Sequence, residues 1–228
     1  LRCLEQIRND SAYHNANVKI VSIGGGFSYG ALGMSHHATE DLSILRSMPI
    51  TVVSPANIWE TEKATEAIIK THGTCYFRLD KSPAKTPFHK TKPFKLGKAH
   101  QIKDGRDITL ISTGGILEEA IIASENLEKK GIQCRLLSMH TIKPLDQEAV
   151  WDAAQNTGGI LTIEEHTVDG GLGGAVAETC LENGKIPDIF YRIGLRIGFS
   201  SIVGSQDYLR KVYQMDRIAI ENKVIELL

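Results

Sequence analysis

The chain has 228 residues, with 26 Lys and Arg against 27 Asp and Glu and an apolar fraction of 42%. That length holds one large domain or two small ones, and a net charge of −1 gives no broad field to gather nucleic acid or an anionic membrane surface. No apolar run approaches the roughly 18 residues that span a bilayer, no secretory leader pattern is present, and four scattered cysteines without a CxxC pair read as reduced thiols of a cytoplasmic protein rather than a disulfide framework or a zinc knuckle.

Residues 1–9 look like the middle of a helix, with Leu4, Ile7 and Arg8 at helical spacing, no cap ahead of them and no initiating methionine. The expectation is a protein that begins further upstream. Residues 18–23, VKIVSI, form a β-branched run that reads as a buried strand. A loop, GGGFSYGALGMSHHATED, follows over residues 24–41. Three consecutive glycines suit a backbone that turns tightly or lies close to another group. Thr39 is expected to cap a helix that starts at Glu40 and stops at Pro49. A strand over 50–53, a turn at Ser54 and Pro55, a helix from an Asn57 cap to about Lys70, and a strand CYFRL over 75–79 complete the first block.

Residues 81–98 hold six lysines and three prolines with no apolar periodicity and read as an extended connection. A second block then starts over: a strand at 108–112, a helix at 116–130 closed by Gly131, a strand at 133–138, a helix at 146–155, a strand at 159–163, a glycine-led helix at 171–183, a strand at 189–193, and helices capped by Ser205 and Asp216. Alternating strands and helices predict two α/β units with mainly parallel sheets between helices. In such folds ligands gather beyond the carboxyl ends of strands, which is where the loop at 24–41 leaves its strand.

The glycine runs lack GxGxxG spacing, and there is no GxxxxGK[ST], so a dinucleotide or phosphate loop is disfavoured. His36 and His37 diverge on an extended loop, so sharing one metal is disfavoured even with Glu40 and Asp41 nearby. One histidine facing a polar substrate, able to donate, accept or move a proton, fits better. Arg78 lies in an apolar strand and needs either an internal carboxylate or an anionic substrate group. Glu164, Glu165 and His166 are expected just past the strand at 159–163, either for acid–base work or, preferentially, as hydrogen-bond partners across a domain or subunit contact.

The motif order resembles the C-terminal half of transketolase-like, thiamine-diphosphate-dependent enzymes. The collinear segments are LRCLEQIRND, GALGMSHHATEDLSILRSMP, VVSPAN, CYFRLDK, HTIKPLD and EEHTVDGGLGGAVAE. The resemblance implies a partial pyrimidine-binding domain over 1–82, a linker over 83–98 and a transketolase C-terminal domain over 99–228. It also implies transfer of a two-carbon ketol unit between sugar-like substrates, with thiamine diphosphate and Mg2+ bound mainly outside this chain. The expected companions are an N-terminal diphosphate-binding subunit or domain, an oligomeric assembly and a sugar-phosphate-like small molecule, and turnover is not expected from this chain alone. By the same resemblance His36 is the catalytic and substrate-facing histidine, and His37, Arg78 and Lys81 are substrate-binding. Leu32 and Gly24 stand where typical relatives carry an aspartate and a further histidine for sugar, which implies a modified or smaller substrate. A 2-oxoacid dehydrogenase beta subunit, a deoxyxylulose-phosphate synthase and a non-catalytic assembly module remain alternatives.

Overall fold

A computed structural model describes residues 2–85 and 93–228. Leu1 and the middle of the expected linker, residues 86–92, lie outside the described residues. The first block runs α1 (Leu4–Gln6), which continues into a π-helical turn Ile7–Ala12, then β1 (Lys19–Ile23), α2 (Asp41–Arg46), β2 (Thr51–Val53), α3 (Ile58–Lys70) and β3 (Cys75–Leu79). The second runs β4 (His100–Lys103), β5 (Ile108–Thr113), α4 (Leu117–Lys129), β6 (Cys134–Ser138), β7 (Thr141–Lys143), α5 (Gln147–Asn156), β8 (Ile160–Thr167), α6 (Leu172–Glu182), β9 (Phe190–Leu195), α7 (Gln206–Val212) and α8 (Arg217–Leu227).

The strands form two sheets, ordered β1-β3-β2-β7 and β4-β6-β5-β8-β9. Pairing is parallel except where β7 meets β2 and β4 meets β6. The α/β expectation therefore holds. One feature was not read from sequence: β7 belongs to the second block by sequence but closes the first sheet. A three-residue strand is too short to carry a periodic signal.

Side-chain caps set several helix starts. Asn57, Asp146, Ser205 and Asp216 accept the backbone N–H groups of Glu60, Ala149, Tyr208 and Ala219. The Thr39 expectation fails. Helix α2 starts at Asp41 without a side-chain cap, and the Thr39 hydroxyl turns instead to Glu40 Oε1 at 2.9 Å. Its carbonyl is held by the Thr167 N–H at 2.7 Å, so the backbone at 39 serves a contact between the blocks.

Strand β8 is longer than expected. It pairs with β5 as far as Glu164 and with β9 at Thr167, so Glu164, Glu165 and His166 lie within the strand and are buried. The apolar interior also crosses between blocks. One cluster joins Leu42, Val52 and Tyr76 to Ile111, Leu137 and Leu172, and another carries Phe27 and Ala56 into the packing of Leu110, Leu136 and Leu209. Full burial of such side chains contributes roughly 1.5–3 kcal/mol each, so the two sheets hold one another in a fixed relation.

Candidate functional site

The loop leaves β1 at Gly24, whose N–H bonds the Leu79 carbonyl at 2.8 Å, and closes by a two-way bridge between Gly26 and Ala38 at 2.8 and 3.0 Å. Between these lie two tight turns, Gly30–Leu32 and Met34–His36. Gly24 and Gly26 both have positive φ, at +104° and +58°. A Cβ at Gly24 meets the Tyr29 ring, and one at Gly26 meets the Glu165 carboxylate. The glycines are thus required twice, by conformation and by close approach.

Glu165 holds the loop from behind. It is 2% exposed. Its carboxylate accepts the Phe27 N–H at 2.6 Å and the Gln206 amide at 2.8 Å, and it forms a short ion pair with Arg210 Nε. Its backbone carbonyl accepts Arg78 Nη2 at 3.0 Å. The preferred sequence reading, bonds across a domain contact, holds for Glu165 and His166 but not for Glu164, whose carboxylate bonds within its own block. His166 joins the same contact. Its Nε2 accepts the Ser43 N–H at 3.3 Å, and its Nδ1 lies 2.8 Å from the Thr167 carbonyl. A backbone N–H can only donate and a carbonyl only accept, so His166 is the neutral tautomer with its proton on Nδ1. Glu164 faces the first turn of α6, accepting from Leu172 and Gly173 at 2.7 and 2.8 Å. Burial raises its pKa, and these N–H groups oppose that rise.

Arg78 resolves toward the internal carboxylates. Its guanidinium is 1% exposed and lies 3.1 Å from Asp41 and 3.9 Å from Asp80. It also donates to the Ala38 carbonyl at 2.9 Å. Burial opposes its charge, but Asp41 and Asp80 outweigh that and hold it above its usual range. The Tyr76 hydroxyl completes the group by donating to Asp41 at 2.7 Å. Arg78 therefore braces the loop from inside.

The other expected site residues lie on the open side. His36 is exposed, with Nδ1 3.0 Å from the Ser35 hydroxyl. That leaves Nε2 facing outward. His37 is half-buried. Its Nε2 donates to the Gly30 carbonyl at 3.2 Å, and its ring meets Phe27 edge-on at 5.1 Å. Lys81 is exposed. Its N–H bonds Ser28 Oγ at 3.2 Å, and its ammonium stands 5.1 Å from the Tyr29 ring centre. Leu32 and Met34, each 56% exposed, give the loop an apolar rim. The structure thus brings His36, His37 and Lys81 to one loop and its border, and puts Arg78 behind it. Sequence reading did not find Asp80, Gln206, Arg210 or Tyr29. Asp80 had a signal: a carboxylate two residues after a strand arginine is a candidate partner.

The glycine-histidine loop is thus held between two α/β units with mostly parallel sheets, one carrying the loop and the other bracing it. Residues 2–86 match the family model for the transketolase pyrimidine binding domain, and residues 97–201 match that for the transketolase C-terminal domain. The chain is 41% identical over 184 residues to a subunit of apulose-4-phosphate transketolase from Phocaeicola vulgatus, covering 80% of this chain and 59% of that protein. It is 37% identical to 6-deoxy-6-sulfo-D-fructose transketolase subunit SqwH of Clostridium sp. (strain MSTE9), covering 93% of this chain and 65% of that one. A solved split gene transketolase, described as an inactive beta4 tetramer, superposes with a TM-score of 0.89 at 32% identity, over 100% of this chain and 72% of that one. The chain belongs to the transketolase family. It spans about three fifths of the length of the two curated relatives.

Proposed function

We propose that the chain is the C-terminal subunit of a split transketolase, a cytoplasmic oligomeric enzyme that transfers a two-carbon ketol unit with a diphosphate-binding partner. Residues 1–82 act as part of a pyrimidine-binding domain, 83–98 as a linker and 99–228 as the C-terminal domain. No described helix is long and apolar enough to cross a membrane. The observation that carries the proposal is the loop itself: exposed His36 and Lys81 on one face, braced on the other by buried Glu165 and Arg78.

Thiamine diphosphate, when bound, supplies the carbanion chemistry of the transfer. By the family resemblance we assign Mg2+ and the diphosphate mainly to the partner. This chain's own work is to bind and orient. His36 holds or moves a proton at Nε2 beside the reacting oxygen. His37, locked by the Gly30 carbonyl, fixes the loop's second imidazole. Lys81 meets a distal anionic group as a point charge. Exposed Leu32 takes the place of a sugar-binding carboxylate and favours a modified sugar, in line with the substrates for which the two curated relatives are named.

The test is ketol transfer after reconstitution with a diphosphate-binding subunit. His36→Ala should lower kcat by roughly 10²–10⁴-fold, the usual range for a general acid–base group, and Lys81→Gln should raise KM for a phosphorylated ketose with little change in kcat. A His36→Ala complex with wild-type turnover would refute the assignment.

A further inference from the structure

A second site lies in the C-terminal unit. A cleft of about 420 Å³ opens between the edge strand β9, with Arg196 following it, and helix α8. Its floor is the half-buried ring of Tyr191. Two cations converge on that ring: Arg196 Cζ and Lys223 Nζ each stand 4.7 Å from its centre. Cation–π contact holds both in place and fixes two positive charges in one cleft. Arg196 uses one donor on the Arg192 carbonyl at 2.6 Å and keeps the rest of its fork. Glu226 is the carboxylate at the mouth. It pairs with Lys223 and is 66% exposed, so it is free to swing into water. The amides of Asn222 and Gln214 line the rim.

From these contacts we infer that the cleft binds a small phosphate monoester carrying hydroxyl groups, with the phosphate between Arg196 and Lys223 and the hydroxyls on Asn222 and Gln214. Two fixed cations suit a dianion, with the guanidinium as fork and the ammonium as point charge. The exposed amides offer both donors and acceptors for hydroxyls. The site is distinct from the histidine loop but backs onto it. Tyr213, on the cleft wall, stacks on Phe27 at 5.5 Å, and Phe27 meets His37 edge-on at 5.1 Å. The inference stands whether or not the chain takes part in ketol transfer.

Calorimetric titration of the full chain at low salt tests it, with ribose 5-phosphate, AMP and inorganic phosphate as separate probes. The Lys81→Gln background removes the cation beside the histidine loop. The expected result is saturable one-site binding of at least one ester, tighter than inorganic phosphate. The ester that binds tighter identifies a sugar phosphate or a nucleotide as the source. Arg196→Gln/Lys223→Gln should weaken that binding at least tenfold, while loss of the two cation–π contacts lowers the melting temperature without ligand by no more than a few degrees. Because both side chains are at the surface of the cleft, Lys223→Gln alone serves as a second variant, expected to weaken binding less than the pair. Absence of ester binding to the Lys81→Gln chain, equal binding by the double variant, or inorganic phosphate binding as tightly as both esters would each overturn the inference.

Discussion

Replacing Glu60 by Gln should alter the pH dependence of stability more than stability in acid. Glu60 is fully buried in the first turn of α3, where its Oε2 accepts the Ala56 N–H at 2.7 Å. Its Oε1 faces the Ser138 hydroxyl without meeting hydrogen-bond geometry. Burial raises its pKa from 4.5 to about 7, and the Ala56 N–H and Ser138 only partly offset that rise. The folded state therefore binds the proton more tightly than the unfolded state. This stabilisation is complete below the unfolded pKa and is lost as pH rises through the folded one. With these two values the loss between pH 5 and pH 8 is about 2–3 kcal/mol, at about 1.4 kcal/mol per unit of pKa difference. Gln keeps the acceptor for Ala56 and cannot ionise. Urea unfolding of both proteins from pH 5 to 8 isolates the effect, because other titrating groups cancel in the difference. The variant should gain about 2–3 kcal/mol on the wild type across that range. A difference that stays flat with pH would refute the reasoning.

Removing the buried guanidinium in Arg78→Met leaves Asp41 and Asp80, 7% and 5% exposed, without their cation. The expected cost is about 3–5 kcal/mol in urea unfolding, and a loss below about 1 kcal/mol would mean that the carboxylates are satisfied without Arg78. Two glycine substitutions form a pair. Gly131 has a φ of +86° and open space where a Cβ would sit, so Gly131→Ala should cost about 1 kcal/mol. Gly26 has a φ of +58° and Glu165 in that space, so Gly26→Ala should cost roughly 2–4 kcal/mol. Equal costs by thermal unfolding would argue against close approach as the reason for the glycine.

Local signals survived translation into structure where they were local in cause. Strand β3 follows its apolar, aromatic run, and the four capped helices begin where a side chain can reach an early N–H. Readings failed where a distant partner decided the outcome. Thr39 has a capping residue type, but Thr167 from β8 claims its carbonyl. Strand β8 continues through three ionisable residues because each finds a partner outside the strand: helix α6 for Glu164, the loop and α7 for Glu165, and Ser43 for His166. A charged strand end reads as a terminus only while those partners are unknown. Arg78 shows the same limit. Its strand position required a counter-charge, and only the fold shows that this is Asp41, 37 residues earlier in the chain.

The placement of Glu165 explains why the loop at 24–41 needs both units. The loop has glycines at its entry, is closed by the Gly26–Ala38 bridge and holds the His36 N–H on the Gly33 carbonyl at 2.9 Å. Further support comes from outside the loop, from Arg78 on the Ala38 carbonyl and from the Glu165 carboxylate, which binds the Phe27 N–H and is itself fixed by Gln206 and Arg210 of the C-terminal unit. Breaking that anchor leaves Arg210 buried and unpaired as well as freeing Phe27, so the cost falls on both units at once. A site residue on a flexible loop works only when its supports are locked. Here the supports lie some 140 residues further along the chain, at Glu165. The C-terminal unit is therefore part of the site even though none of its side chains is among the loop's exposed histidines.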